Sequence, residues 1–378
     1  MRIAAGIALL VLVCTCAGWT DGSGSPQRPF LWQCEQIHLD QAKDACYLRL
    51  LRQDIERSGS PATELPRIDR LARAAGTALY GRCHLLMHTV GREWAAAHRL
   101  TIEQLQNIEP RSNDPGCSAG FGMGLVMYLG PQIIATGGKS ALPACVHLPT
   151  QYRRYTCVHS LGHALMRGYH ESLFLAVGAC EKLGPRFAPD CAQGAFHDYW
   201  IALRGADATT SPVHAVRSAR ALCRTYPRLA VGCWYRYFIE LVPAPTLSTA
   251  ADIRRVCRAL VGAERNGCVG GASLGVADET FQQTRLCASL GAGDAVPCLH
   301  GVSVQSTEGK PVEQRRLIGE CARFPAGARS GCVRWFALTL NLVANGRFER
   351  MCATLAAVDR TACAAGARAY MGPIVTFS

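Results

Sequence analysis

Residues 249–274 read TAADIRRVCRALVGAERNGCVGGASL, and this stretch decides the fold. Apolar residues at three- and four-residue intervals lead to Cys257, the turn-forming GAERNG follows, and a compact segment rich in small residues starts at Cys268. The spacing predicts an αα-hairpin, because apolar positions three and four apart share one helix face. Cys257 then falls in the last turn of the first helix and Cys268 opens the second. A disulfide between them staples the corner.

The same unit recurs on both sides. Close cysteine pairs stand at Cys145/Cys157, Cys180/Cys191, Cys223/Cys233, Cys257/Cys268, Cys287/Cys298, Cys321/Cys332 and Cys352/Cys363. A supersecondary unit repeated every 30 to 40-odd residues points to an all-α, solenoid-like array of disulfide-stapled αα-hairpins. Neighbour pairing extends upstream to Cys34/Cys46 and Cys83/Cys117. Glycines inside the second helices, among them Gly162, Gly194, Gly270, Gly271, Gly301 and Gly366, cost roughly 1 kcal/mol each against alanine. Close helix contact would offset that cost, which makes the second helices the inner layer.

Met1, Arg2 and the apolar run Ile3 to Val13 have the form of a secretory signal over residues 1–18. Removing it leaves 18 cysteines, an even number, as expected of a chain oxidised in a secreted or periplasmic setting. A lipid anchor through Cys14 or Cys16 is the lesser alternative. The chain divides into the signal, a leader and opening hairpin (19–65), a histidine-bearing helical region (66–200) and cysteine-paired hairpins (201–378). Ser58 to Pro61 forms a linker, Pro66 to His98 reads as one long helix, and a glycine-rich helix starts at Cys117. No later segment has the roughly 20 apolar residues that span a bilayer.

A 49% hydrophobic and 18% charged composition excludes disorder. The net charge of +12 comes mostly from arginine and favours anionic partners, but no run of interleaved aromatic and basic residues suggests nucleic-acid binding. Oligomeric state is not encoded in any legible pattern. No phosphate loop, nucleophile elbow, dinucleotide fingerprint or haem-attachment motif is present.

Histidine is where chemistry enters. The chain has eleven, and the stripe His-x3-His-x3-Arg occurs twice beside a cysteine, as His84, His88, Arg92 and as His159, His163, Arg167. On a helix, side chains four apart stack on one face, so each pair aims two imidazoles at one point. Six residues after the second cysteine of successive units stand Met123, His163, His197 and then Ile239, Leu274, Val304, Leu338 and Ala369. The register passes from potential ligands to plain core. His84, His88, His159, His163 and His197 are therefore the candidate metal ligands, with Asp198 as an outer partner or a carboxylate ligand. Nitrogen donors suit copper or zinc. Glutamate is missing after the first histidine of each pair, which excludes the zinc-protease motif. Arg92 and Arg167 are candidates to orient an anionic substrate. Two other readings stand beside this one: histidines buried for structure alone, and a metal-free anion site.

RCHLLMHTVG, GCSAGFGMG, CVHSLGHALM and CAQGAFHDYW, spread over residues 80–200, resemble the motif series of exported, cysteine-rich helical proteins with CHxxxHxxG and CxHxxGH motifs. The resemblance implies no activity. In that group the second motif carries histidine where this chain has Met123, and a thioether there would tilt the choice toward copper. The expected function is thus an exported metal-binding protein, with oxidoreductase or hydrolase chemistry open. The alternative is a disulfide-braced binding scaffold without catalysis. An all-histidine site should lose its metal below about pH 6, near the ordinary imidazole pKa.

Overall fold

The computed structural model describes residues 31–75, 77–108, 116–136, 140–203, 212–241, 247, 249–274, 280–302, 311–343 and 348–369. The expected signal, most of the leader and the loop at 109–115 lie outside them. Among the described residues every regular element is a helix.

The 249–274 unit shows how the hairpins form. The Thr249 hydroxyl accepts the Asp252 N–H at 3.2 Å, and the Asp252 carboxylate accepts the Thr249 N–H at 3.1 Å. This reciprocal cap starts the Ala250–Cys257 helix, whose buried face is Ile253, Val256 and Cys257. The turn ends at Gly262, whose φ of +53° only glycine adopts without strain. Gly262–Leu274 then runs back as the inner helix, burying Cys268, Val269 and Ala272.

All nine disulfides join the neighbours that the spacing pairs, from Cys34–Cys46 and Cys83–Cys117 through Cys145–Cys157, Cys180–Cys191, Cys223–Cys233, Cys257–Cys268, Cys287–Cys298, Cys321–Cys332 and Cys352–Cys363, with Cα–Cα separations of 4.9 to 5.8 Å. One detail is corrected. In most units the second cysteine lies one or two turns into the inner helix instead of opening it, as Cys268 does in Gly262–Leu274 and Cys332 in Ala326–Val343. The link is shorter than its turn-forming composition suggests, because residues such as Ala263, Glu264 and Arg265 are good helix formers.

The expected long helix starts earlier than Pro66. Gly59, left-handed at φ +66°, ends Asp40–Ser58, and Pro61 is preset for a first helical turn, so helix runs from Pro61 to Ala75 and from Thr77 to Ala97. The glycine-rich helix is Cys117–Tyr128.

Inner helices pack in sequence order: Thr77–Ala97 on Cys117–Tyr128, then Gln151–Gly168, Ala188–Leu203, Ala230–Leu241 and Gly262–Leu274, and later Ala326–Val343 on Ala357–Arg368. Gln151–Gly168 also touches Ala326–Val343, so the row bends back on itself. Recurring ion pairs tie one hairpin to the next. Arg265 forks onto Asp294 at 2.7 and 2.6 Å, and Arg329 onto Asp359 at 3.0 and 2.9 Å. Each arginine stands three residues before its inner cysteine and each aspartate four before the next unit's.

Small residues set how closely the site-bearing helices approach. A methyl group at Gly194 would overlap the main-chain carbonyl of His159, and one at Gly162 that of Cys191. Gly194→Ala is therefore expected to lower stability by roughly 1–3 kcal/mol, since backbone cannot yield as a side chain can. In the outer helix Leu173–Glu181, a methyl group added at Gly178 would meet nothing within 4 Å. Gly178→Ala should be neutral or gain up to about 1 kcal/mol. Urea titration of both variants checks the contrast, and equal behaviour would dismiss the close-packing argument.

Candidate metal centre

Four inner helices supply the site. Thr77–Ala97 carries His84 and His88, Gln151–Gly168 carries His159 and His163, Ala188–Leu203 carries His197 and Asp198, and Ala230–Leu241 adds Arg236 and Glu240. The two histidine pairs do meet. Ring centroids lie 4.8 Å apart for His84 and His88, 6.2 Å for His88 and His163, 4.9 Å for His159 and His163, and 5.0 Å for His163 and His197. Five imidazoles thus form one continuous cluster.

The tightest part is His159, His163 and His197, where one nitrogen from each ring lies within 4.8 Å of the other two. His159 and His163 are buried and His197 is nearly so. Nε2 of His163 faces Nε2 of His159 at 3.2 Å. Two nitrogens on a tetrahedral ion, each at about 2.0–2.1 Å, stand about 3.3 Å apart.

Carboxylates orient these rings. Nδ1 of His163 lies 2.8 Å from Oδ1 of Asp198, and Nε2 of His197 lies 3.1 Å from Oε1 of Glu240. A neutral ring that donates one N–H to a carboxylate presents a lone pair at its other nitrogen. That nitrogen is Nε2 in His163 and Nδ1 in His197, and the latter is buried with no hydrogen-bond partner. Arg236, which can only donate, places Nη2 at 3.5 Å from Nε2 of His159 and favours the lone pair there as well. Lone pairs that face one point repel each other unless a proton or a cation lies between them.

Three of the rings resist protonation. Burial first, then the charges of neighbouring imidazoles and arginines, hold His88, His159 and His197 well below the ordinary imidazole range. Arg236 is the second contributor at His159 and His197. Burial alone would raise Asp198, but His163, with His197 and Arg167, outweighs it and holds the carboxyl below its usual range. Neutral imidazole backed by an ionised carboxylate is the ligating state.

Arg92 and Arg167 stand where the stripes put them. Arg92 is half-buried and Arg167 is exposed, and the Arg92 guanidinium is held below its ordinary range by burial first and then by the charge of Arg167. Glu93, which could have neutralised Arg92, pairs with Arg52 at 2.8 Å instead. Met123 is buried in the Cys117–Tyr128 helix, which packs against the His84 and His88 backbone through Gly120 and Gly124. His300 stands in a separate packed position, 4.5 Å from Trp335 between ring centroids, and His170 is exposed in a left-handed turn.

Arg236 and Glu240 fall outside the sequence pattern, in which the position six residues after Cys233 is Ile239. Their signal was available as a charged i,i+4 pair in the otherwise apolar and aromatic run CWYRYFIELV. Comparisons with protein-family models, with curated proteins and with solved structures return no match for this chain.

Proposed function

We propose that the protein is an exported metalloprotein that binds copper or zinc through His159, His163 and His197, with His84 and His88 as the adjoining ligand pair. The single observation that carries this reading is the convergence of one nitrogen from each of three largely buried imidazoles, two of them backed by carboxylates. A helix-packing role alone would not need two carboxylates aimed at two imidazoles. Three imidazoles leave a coordination position open, and a bound ion there supplies either activation of water or binding of dioxygen. Export is supported by nine disulfides, which persist in oxidising compartments, and by the absence of any helix among the described residues long and apolar enough to cross a membrane.

Elemental analysis after oxidative refolding tests the reading. About one equivalent of copper or zinc is expected; less than half an equivalent of any transition metal overturns it. Asp198→Asn keeps the shape but weakens the backing of His163. It should lower metal affinity by roughly 10–100-fold, read by competition with a chromogenic chelator. Unchanged affinity would show that Asp198 serves packing only.

A further inference from the structure

We infer that the centre takes a small anion beside the metal, held by Arg236; this deepens the metal reading and rests on it. Arg236 projects from Ala230–Leu241 with its side chain 15% exposed, between two groups that matter. Nη2 lies 3.5 Å from Nε2 of His159, a proposed ligand atom, and Nη1 lies 3.7 Å from Oε1 of Glu240. Glu240 spends its closer contact, 3.1 Å, on His197. The Arg236 Nε is buried without a hydrogen-bond partner. A guanidinium has five donors in a planar fork, and here Glu240 at 3.7 Å and the Tyr155 hydroxyl take up only part of them.

A divalent ion at the histidines would sit a few ångströms from this guanidinium. Like charges that close in a poorly hydrated site repel strongly. Asp198 and Glu240 contact the rings, but Arg236 and Arg167 act on the same groups, so positive charge is in excess once the ion is bound. An anion that occupies the open coordination position and accepts from Arg236 removes that excess with one ligand. Arg92 and Arg167, half-buried and exposed, give it a positive approach. Main-chain contact across Gly162 and Gly194 keeps the helices close, which limits the ligand to a few heavy atoms. Formate, hydrogencarbonate and azide belong to the class that fits.

The test uses azide on the full chain loaded with Cu²⁺, following the azide-to-copper charge-transfer band, with copper content measured on the same samples. Wild type should bind azide, and Arg236→Met should retain copper while azide affinity falls about 30-fold or more, the loss of a charge-assisted bond. Arg236→Lys, which keeps the charge but loses the fork, should fall between the two and guards against misfolding of the methionine variant. Copper retained with azide binding absent from wild type, or equal in all three proteins, overturns the anion inference and leaves the metal reading standing. Copper absent from wild type overturns the metal reading, and the inference with it.

Discussion

His163→Ala is expected to weaken metal binding on the order of 100–1,000-fold. His163 is the hub of the cluster: its ring contacts His88, His159 and His197, and Asp198 fixes its tautomer. Binding free energies of about 10–16 kcal/mol shared among four ligands give about 3–4 kcal/mol per ligand, a loss on the order of 100–1,000-fold. That exceeds the effect expected of Asp198→Asn, and the order of the two is itself diagnostic. His84→Ala should cost less than His163→Ala, because His84 lies at the far end of the chain of rings, next to His88. Chelator competition on the three variants reads the ranking. Unchanged affinity in His163→Ala would remove the centre as drawn.

Metal-free protein should be unusually sensitive to acid. His88, His159 and His197 are held well below 6.5, and burial brings His300 down to about 3. As pH falls through 6.5 the unfolded chain takes up these four protons while the folded chain does not, so the unfolded state is favoured. Their contribution is complete above about pH 6.5 and declines at lower pH, by at most about 2 kcal/mol per histidine at pH 5. Asp190 opposes this. Burial raises its carboxyl well above the usual range, so the folded state binds its proton first and offsets part of the loss. The net effect is a loss of stability as the pH falls from 7.5 to 5. Urea midpoints between pH 7.5 and 5 in the presence of chelator measure it, and a flat profile would contradict the burial of the rings. The same resistance to protonation shifts the expected release of metal below pH 6, because a competing proton finds these nitrogens poor acceptors.

The fold was legible because covalent chemistry punctuates it: a cysteine at the end of one helix and another a turn later fix which helices are neighbours, whatever their sequences. Four of the five histidines were legible because four-residue spacing is a property of one helix, readable without its partners, and His197 because it shares the register of His163 after its cysteine. Arg236 and Glu240 were not, since the phase of a helix relative to its cysteine shifts from unit to unit. His163 and His197 both stand six residues after theirs, while Arg236 stands three and Glu240 seven after Cys233. Which of those positions faces His159 depends on how Ala230–Leu241 rotates against Ala188–Leu203, and that rotation is set by the bulk of Trp234, Tyr237 and Phe238 in the core. Helix boundaries missed by a turn for a similar reason, because good helix formers in the links extend the inner helices backward.

Eight of the nine cross-links join cysteines only 10 to 12 positions apart, and the ninth spans 34. Eighteen thiols can combine on the order of 10⁷ ways, yet here each finds its mate almost as soon as both have left the ribosome or translocation pore. Such a polypeptide can oxidise progressively from its amino end, sealing each corner before the next thiol arrives, with little demand on an isomerase to undo mistakes. The five imidazoles all precede residue 200, and the fifth of these seals, Cys223–Cys233, adds Arg236 and Glu240 beside them. Maturation of the centre is thereby timed to the middle of synthesis, well before the carboxyl end is made.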